Sequence, residues 1–204
     1  MKGSSSMQAT LPTSLSYTRP ERAFHQTLSG KIVFTMAASA FVAACAHVSL
    51  PLPFTPVPLT LSNFAVLLVG MFLGPVAGFS ALALYLAEGA MGLPVFTPGG
   101  AAGMAHLLGP NGGFLFAYPV AAAIAGLARR GSERMRTPFA AALAVGVAAT
   151  AVILLAGAGW LQHWMHLSAM ATWHFGVEPF VFGECAKIVA AAGIFSASRR
   201  WTRA

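Results

Sequence analysis

Apolar residues in this chain run in long blocks, broken by short polar, Pro-rich or Gly-rich intervals. Six apolar segments can be read along it. The first covers about 31–50, and its few polar residues are Thr35, Ser39, His47 and Ser49. Four prolines at 51–58 then forbid a helix. The second segment covers about 59–73, and only Gly74 and Pro75, a tight turn, divide it from the third at 76–91. A long irregular stretch rich in Gly and Pro follows at 92–113. The fourth segment, about 114–128, ends at a charged loop, 129–137. The fifth, 138–159, is joined by a Trp- and His-containing connection, 160–177, to the sixth, about 178–196.

Segments two, three and four hold about 15–17 residues each, fewer than the ~20 that a helix needs to cross a ~30 Å hydrocarbon core. They are either buried helices of a soluble protein or short spans whose loops dip into protein at membrane depth, where backbone polar groups find partners. Composition favours the second. Hydrophobic types make up 57% of the 204 residues and charged types only 8%, against about 25% charged in a soluble domain. So little charge cannot cover a water-facing surface. The fold expected is all-α: a polytopic membrane protein of six short transmembrane helices with an outward-facing loop cap. The domain layout expected is a disordered cytoplasmic tail at 1–30, a membrane domain at 31–198 and a basic cytoplasmic tail at 199–204.

The formal net charge of +7 could suggest nucleic acid, but its distribution argues against that partner. The connections at 51–58, 92–113 and 160–177 share one side of a six-span bundle and contain no Lys or Arg. Of the 12 basic residues, all but Lys187 fall in the N-terminal region, the 129–137 loop or the C-terminal tail. The positive-inside rule then places both termini in the cytoplasm, in a multi-pass protein of the cell's inner (plasma) membrane. Trp160, Trp173 and Trp201 lie at span ends, where indole rings prefer the interface. The three outer connections are elaborate and the inner Gly74-Pro75 turn is minimal, as expected for a ligand taken from outside.

All five acidic residues are Glu. Glu88, Glu184 and Lys187 lie within apolar segments, where an ionised group costs about 2.5–3.5 kcal/mol on insertion scales. Glu184 and Lys187 are three apart and share one helix face. They form either a grip for a polar ligand or a structural ion pair. Glu88, near the outer end of its segment, is either a second ligand-facing group or a solvated one. The glycines between Thr97 and Gly113 let backbone approach a small molecule. No Lys-Ser/Thr follows them, so they form no phosphate loop and the chain by itself does not use ATP. His163, His166 and His174 are read as interface residues, with no metal and no cofactor expected. No Ser-His-Asp set exists, because the chain has no Asp, and no catalytic residue is assigned. Cys45 and Cys185 are read as small hydrophobes packed between helices rather than a disulfide. Ala40 and Ala44, four apart, would let another helix approach closely.

Four stretches together resemble the BioY family, the biotin-binding S components of energy-coupling factor (ECF) transporters. They are Pro-Leu-Pro-Phe-Thr-Pro-Val-Pro-Leu-Thr at 51–60, Tyr-Leu-Ala-Glu-Gly-Ala-Met-Gly-Leu-Pro-Val-Phe at 85–96, Leu-Gly-Pro-Asn-Gly-Gly-Phe at 108–114 and Gly-Glu-Cys-Ala-Lys at 183–187. The resemblance implies six helices, cytoplasmic termini and a biotin site near the outer face. It also implies biotin contacts for Lys187, and for Glu184 where the family has Asp. The loop after Pro-Val-Phe points to Gly99, Gly100 and Ala101, whose contacts would come from backbone. By the same resemblance Ala40 and Ala44 dock on the transmembrane coupling subunit, whose ATPase partners use the ATP. The function expected is biotin uptake. The alternatives are an S component or carrier for another vitamin or precursor and, further off, a membrane enzyme.

Overall fold

The computed structural model describes residues 28–134 and 137–201. Most of the segment expected as an N-terminal tail, with Lys2, Arg19 and Arg22, lies outside the described residues, as do Arg136 and Arg203. Leu28–His47 form α1, which opens inside the stretch assigned to the tail. The next apolar helices are α2 (Ser62–Leu73) and α3 (Pro75–Ala90). A short α4 (Met104–Leu107) precedes α5 (Gly112–Gly126) and α6 (Ala128–Arg134). The chain ends with α7 (Pro138–Met165), α8 (Ala169–Gly176) and α9 (Glu178–Trp201).

Among the described residues, four helical stretches are long and apolar enough to cross a membrane: 29–47, 112–131, 138–165 and 178–201. With α2 and α3 they make the six apolar helices expected. At 12 residues, α2 rises only about 18 Å, so its connections must lie at membrane depth, where the bundle satisfies their backbone. The outer faces are apolar: Val76, Leu155 and Phe182 are exposed by 80%, 73% and 87%. Exposed side chains of this type over the whole surface call for lipid as solvent.

The core is built by small residues. Helix α5 packs against α2, α3 and α7, while α9 packs on α7 and α2, and α1 on α3 and α2. A Cβ at Gly70 of α2 would stand 2.3 Å from the Ala122 carbonyl oxygen of α5, and one at Gly126 would stand 2.4 Å from the Pro75 nitrogen. Such approaches replace the missing hydrophobic drive between helices in lipid. The α2–α3 turn needs glycine as well, because Gly74 has φ +88° and Pro75 opens α3 at a position where its fixed φ suits a helix. Overpacking at such a contact costs about 1–3 kcal/mol. Gly70→Val is therefore expected to lower the midpoint of thermal unfolding by roughly 4–10 °C. Tryptophan fluorescence of the detergent-purified chain checks this, and an unchanged midpoint would count against the packing described.

Three connections carry more structure than the sequence suggests. The Pro-rich stretch is non-helical, as expected, but its ends are clamped by a two-stranded antiparallel pair, β1 (Ser49–Leu50) and β2 (Leu59–Thr60), with Ser49 opposite Thr60. The 129–137 segment, expected to be a loop, is helical as α6 over most of its length. The 160–177 connection is largely helical: α7 continues to Met165, His166 closes it with a left-handed φ of 53°, and Ser168 caps α8 by accepting the Ala171 N–H at 3.2 Å. Trp160, at a span end, also acts as a tether. Its Nε1–H donates to the Gly109 carbonyl at 2.9 Å and ties the glycine-rich stretch to α7. Cys45 is buried but Cys185 faces outward, because residues 185 and 186 lie on the side of α9 turned away from the bundle. Neither forms a disulfide.

Candidate functional site

Alternating helix directions put the Pro-rich clamp, the glycine-rich stretch and α8 at one end of the bundle, and the arginine-bearing segments at the other. A cavity lies at the first end, between α2, α5, α7 and α9. Apolar walls come from Val57, Phe114, Leu154 and Phe180. Polar groups come from Thr60, Asn63, Thr97, His106, Asn111, Tyr118 and Glu184.

The polar side is organised around Glu184 of α9, which is 2% exposed. Its Oε1 accepts from Lys187 Nζ at 2.7 Å and from Asn63 Nδ2 of α2 at 3.0 Å. Lys187 also donates to the Thr60 carbonyl at 2.6 Å. That carbonyl is available because β2 ends there and α2 has not begun. The β1–β2 clamp thus anchors the lysine, and the lysine holds the carboxylate. Opposite charges in contact offset part of each other's desolvation cost, and the unit adds no net charge to the cavity wall. Tyr118 of α5 closes the same side through side-chain hydrogen bonds with Ser62 and Thr60.

Two cavity-lining groups are left incomplete. Glu184 Oε2 and Asn111 Oδ1 are both buried without a hydrogen-bond partner. Buried polar atoms are nearly always paired, and a carboxylate oxygen left bare is costly. Two bare acceptors in one cavity describe a site shaped for a guest that carries donors. On the cap side, His106 is 7% exposed and stacks on Phe96 with ring centroids 5.0 Å apart. Its Nδ1 lies 2.9 Å from the Ala101 carbonyl. If Nδ1 carries the proton, Nε2 is left as an acceptor.

The residues singled out from sequence are distributed as follows. Glu184 lines the cavity, and Lys187 stands behind it without being part of the lining. Gly100 and Ala101 act through His106: a Cβ at Gly100 would meet the imidazole at 2.8 Å, and the Ala101 carbonyl orients it. Gly99 is exposed with φ +87° and does not line the cavity. Glu88 is also outside the lining; its Oε2 accepts from the Ser39 hydroxyl and joins α3 to α1. Ala40 and Ala44 are exposed on α1. His163 and His166 have ring centroids 6.5 Å apart, and His174 Nδ1 lies 2.5 Å from Glu178 Oε2. No cluster of three possible metal ligands occurs among the described residues.

Sequence reading passed over Asn63, Asn111, Tyr118 and His106. A signal for two of them was present: Asn63 and Asn111 are the chain's only asparagines, and both line the cavity. Asn63 sits in apolar α2, where an amide needs a partner, and Asn111 precedes α5.

A lipid-facing helix bundle with a small polar cavity under an elaborate cap defines a membrane solute-binding protein. The sequence profile of the BioY family matches residues 16–204, and the chain belongs to that family. A protein of Thermotoga maritima named biotin transporter BioY is 39% identical over 156 residues, 76% of this chain and 86% of that one. One of Pyrococcus horikoshii, named probable biotin transporter BioY, is 40% identical over 144 residues, 71% of this chain and 80% of that one. The crystal structure of the S component for biotin from an ECF-type ABC transporter superposes with a TM-score of 0.75 at 26% identity, over 84% of this chain and 92% of that one.

Proposed function

We propose that this chain captures biotin in the cavity between α2, α5 and α9 and serves as the S component of an ECF-type uptake system. It is a carrier subunit, not an enzyme. The observation that carries the reading is the pair of bare acceptors, Glu184 Oε2 and Asn111 Oδ1, among the residues lining one cavity. The ureido ring of biotin brings two N–H donors and no charge. A neutral ring suits the side where Glu184 and Lys187 cancel each other. The ureido N–H groups meet Glu184 Oε2 and Asn111 Oδ1, the thiophane ring and valeryl chain pack on Phe114, Phe180 and Val57, and the carboxylate lies toward Thr97. In this reading Lys187 is a positioning residue, and Gly100 and Ala101 shape the cap side through His106.

Sorting of the basic residues supports placement in the cytoplasmic membrane with the arginine-bearing end and both termini inside, and the cavity open to the outside. Ala40 and Ala44 on the exposed face of α1 suit close docking of a transmembrane coupling subunit, whose ATPase partners drive release inward. The test is calorimetric titration of the purified chain with biotin, followed by a competition panel of other vitamins and biotin precursors. One biotin per chain is expected, with every competitor weaker. Glu184, one methylene longer than the family's Asp, makes the panel necessary, and a tighter competitor would reassign the ligand.

A further inference from the structure

The opposite end of the bundle holds a second concavity that biotin capture does not use. It is a groove between the start of α1, the α2–α3 turn and the α5–α6 junction. Lys31, Arg129 and Arg130 converge on it, and no acidic side chain is among its described lining residues. Its apolar wall is Phe34, Phe72 and Val76, exposed by 49%, 41% and 80%. Arg129 lies over the turn: its Nη1 donates to the Phe72 carbonyl at 3.4 Å, and a Cβ at Gly74 would sit 3.8 Å from its side chain. That contact fixes one guanidinium at the rim, at the exposed carbonyl end of α2.

We propose that this groove binds one anionic phospholipid, with the headgroup phosphate on Lys31, Arg129 and Arg130 and an acyl chain along Phe34, Phe72 and Val76. Basic pockets between membrane helices attract acidic headgroups, and each nearby cation strengthens the attraction. A soluble anion would leave the apolar wall uncovered, whereas a lipid matches both halves. Another groove, at Phe139, Ser196, Arg200 and Trp201, also has aromatic walls but a single cation among its described lining residues, so it serves as an internal control. A lipid seated here lies against the lower end of α1, the helix that bears Ala40 and Ala44, and it requires no ligand in the cavity at the other end.

The experiment is native mass spectrometry of the detergent-purified full chain, titrated separately with phosphatidylglycerol and phosphatidylcholine. One phosphatidylglycerol is expected to bind in preference to phosphatidylcholine. In Lys31→Gln/Arg130→Gln its affinity is expected to fall roughly 30-fold, while Arg200→Gln binds as the wild type does. Size-exclusion chromatography establishes that the variants are folded; should the double variant aggregate, Arg130→Gln alone is expected to lose roughly fivefold. Equal binding of the two lipids, or unchanged binding by the folded variant, overturns the proposal. Displacement of phosphatidylglycerol by equimolar inorganic phosphate also overturns it, by assigning the groove to a free anion.

Discussion

Glu184→Gln is expected to weaken biotin binding by roughly 30- to 300-fold while leaving the helix bundle folded. The amide has nearly the shape of the carboxylate and keeps one oxygen for Lys187 Nζ and Asn63 Nδ2, which meet Oε1 at 2.7 and 3.0 Å. Its other end becomes an N–H₂ group where Oε2 now stands bare. A guest N–H would then meet a donor instead of an anion. Hydrogen bonds to charged groups contribute about 1.5–3 kcal/mol, and an opposed donor pair adds a desolvation loss. Calorimetric titration reads the change directly. Binding within threefold of wild type would show that Oε2 does not meet the ligand, and the placement of the ureido ring would have to be abandoned.

Lys187→Met is expected to cost stability as well as affinity, about 3–5 kcal/mol of the former. Its ammonium is the only cation in contact with Glu184 among the described residues, and their side chains are 12% and 3% exposed. Without it a carboxylate stays buried with Asn63 alone, and the Thr60 carbonyl loses its donor. The companion variant Glu184→Leu/Lys187→Met removes both charges together. Apolar replacement of a buried pair is often neutral for stability, so the double variant should recover most of the unfolding midpoint and none of the biotin binding. Thermal unfolding and titration of the three proteins separate the two roles. A double variant as unstable as Lys187→Met would mean that the charge left on Glu184 is not the source of the loss.

The contrast between those variants reflects how the site was legible in sequence. Glu184 and Lys187 were visible because they are local: two charged residues one turn apart in an apolar helix. The cavity itself was not. Asn63 and Asn111 gave only a hint as the chain's two asparagines, and nothing in the residues around Tyr118 or His106 marked them as wall. Glu88 shows the converse. Its burial cost made it a candidate, and it satisfies that cost through the Ser39 hydroxyl, away from the cavity. The indole of Trp160 suits a span end by type alone, but its N–H tie between α7 and the glycine-rich stretch is visible only in three dimensions.

Sequence alone determined what is periodic or additive along the chain. That covers the six apolar helices, the lipid-facing class, the sorting of basic residues to one end, the break at the prolines and the Gly74-Pro75 turn. Each follows from local hydropathy, charge or backbone restriction and needs no knowledge of neighbours in space. The tertiary structure decided which residues share the cavity. Asn63 and Glu184 are 121 positions apart, and Thr60 and Lys187 are 127 apart. Such contacts depend on how closely α2, α5 and α9 approach through their small residues, and on a two-residue strand pair that turns a carbonyl toward an ammonium. Helix packing in three dimensions, rather than any pattern along the chain, leaves one buried carboxylate oxygen of a cavity-lining residue without a partner.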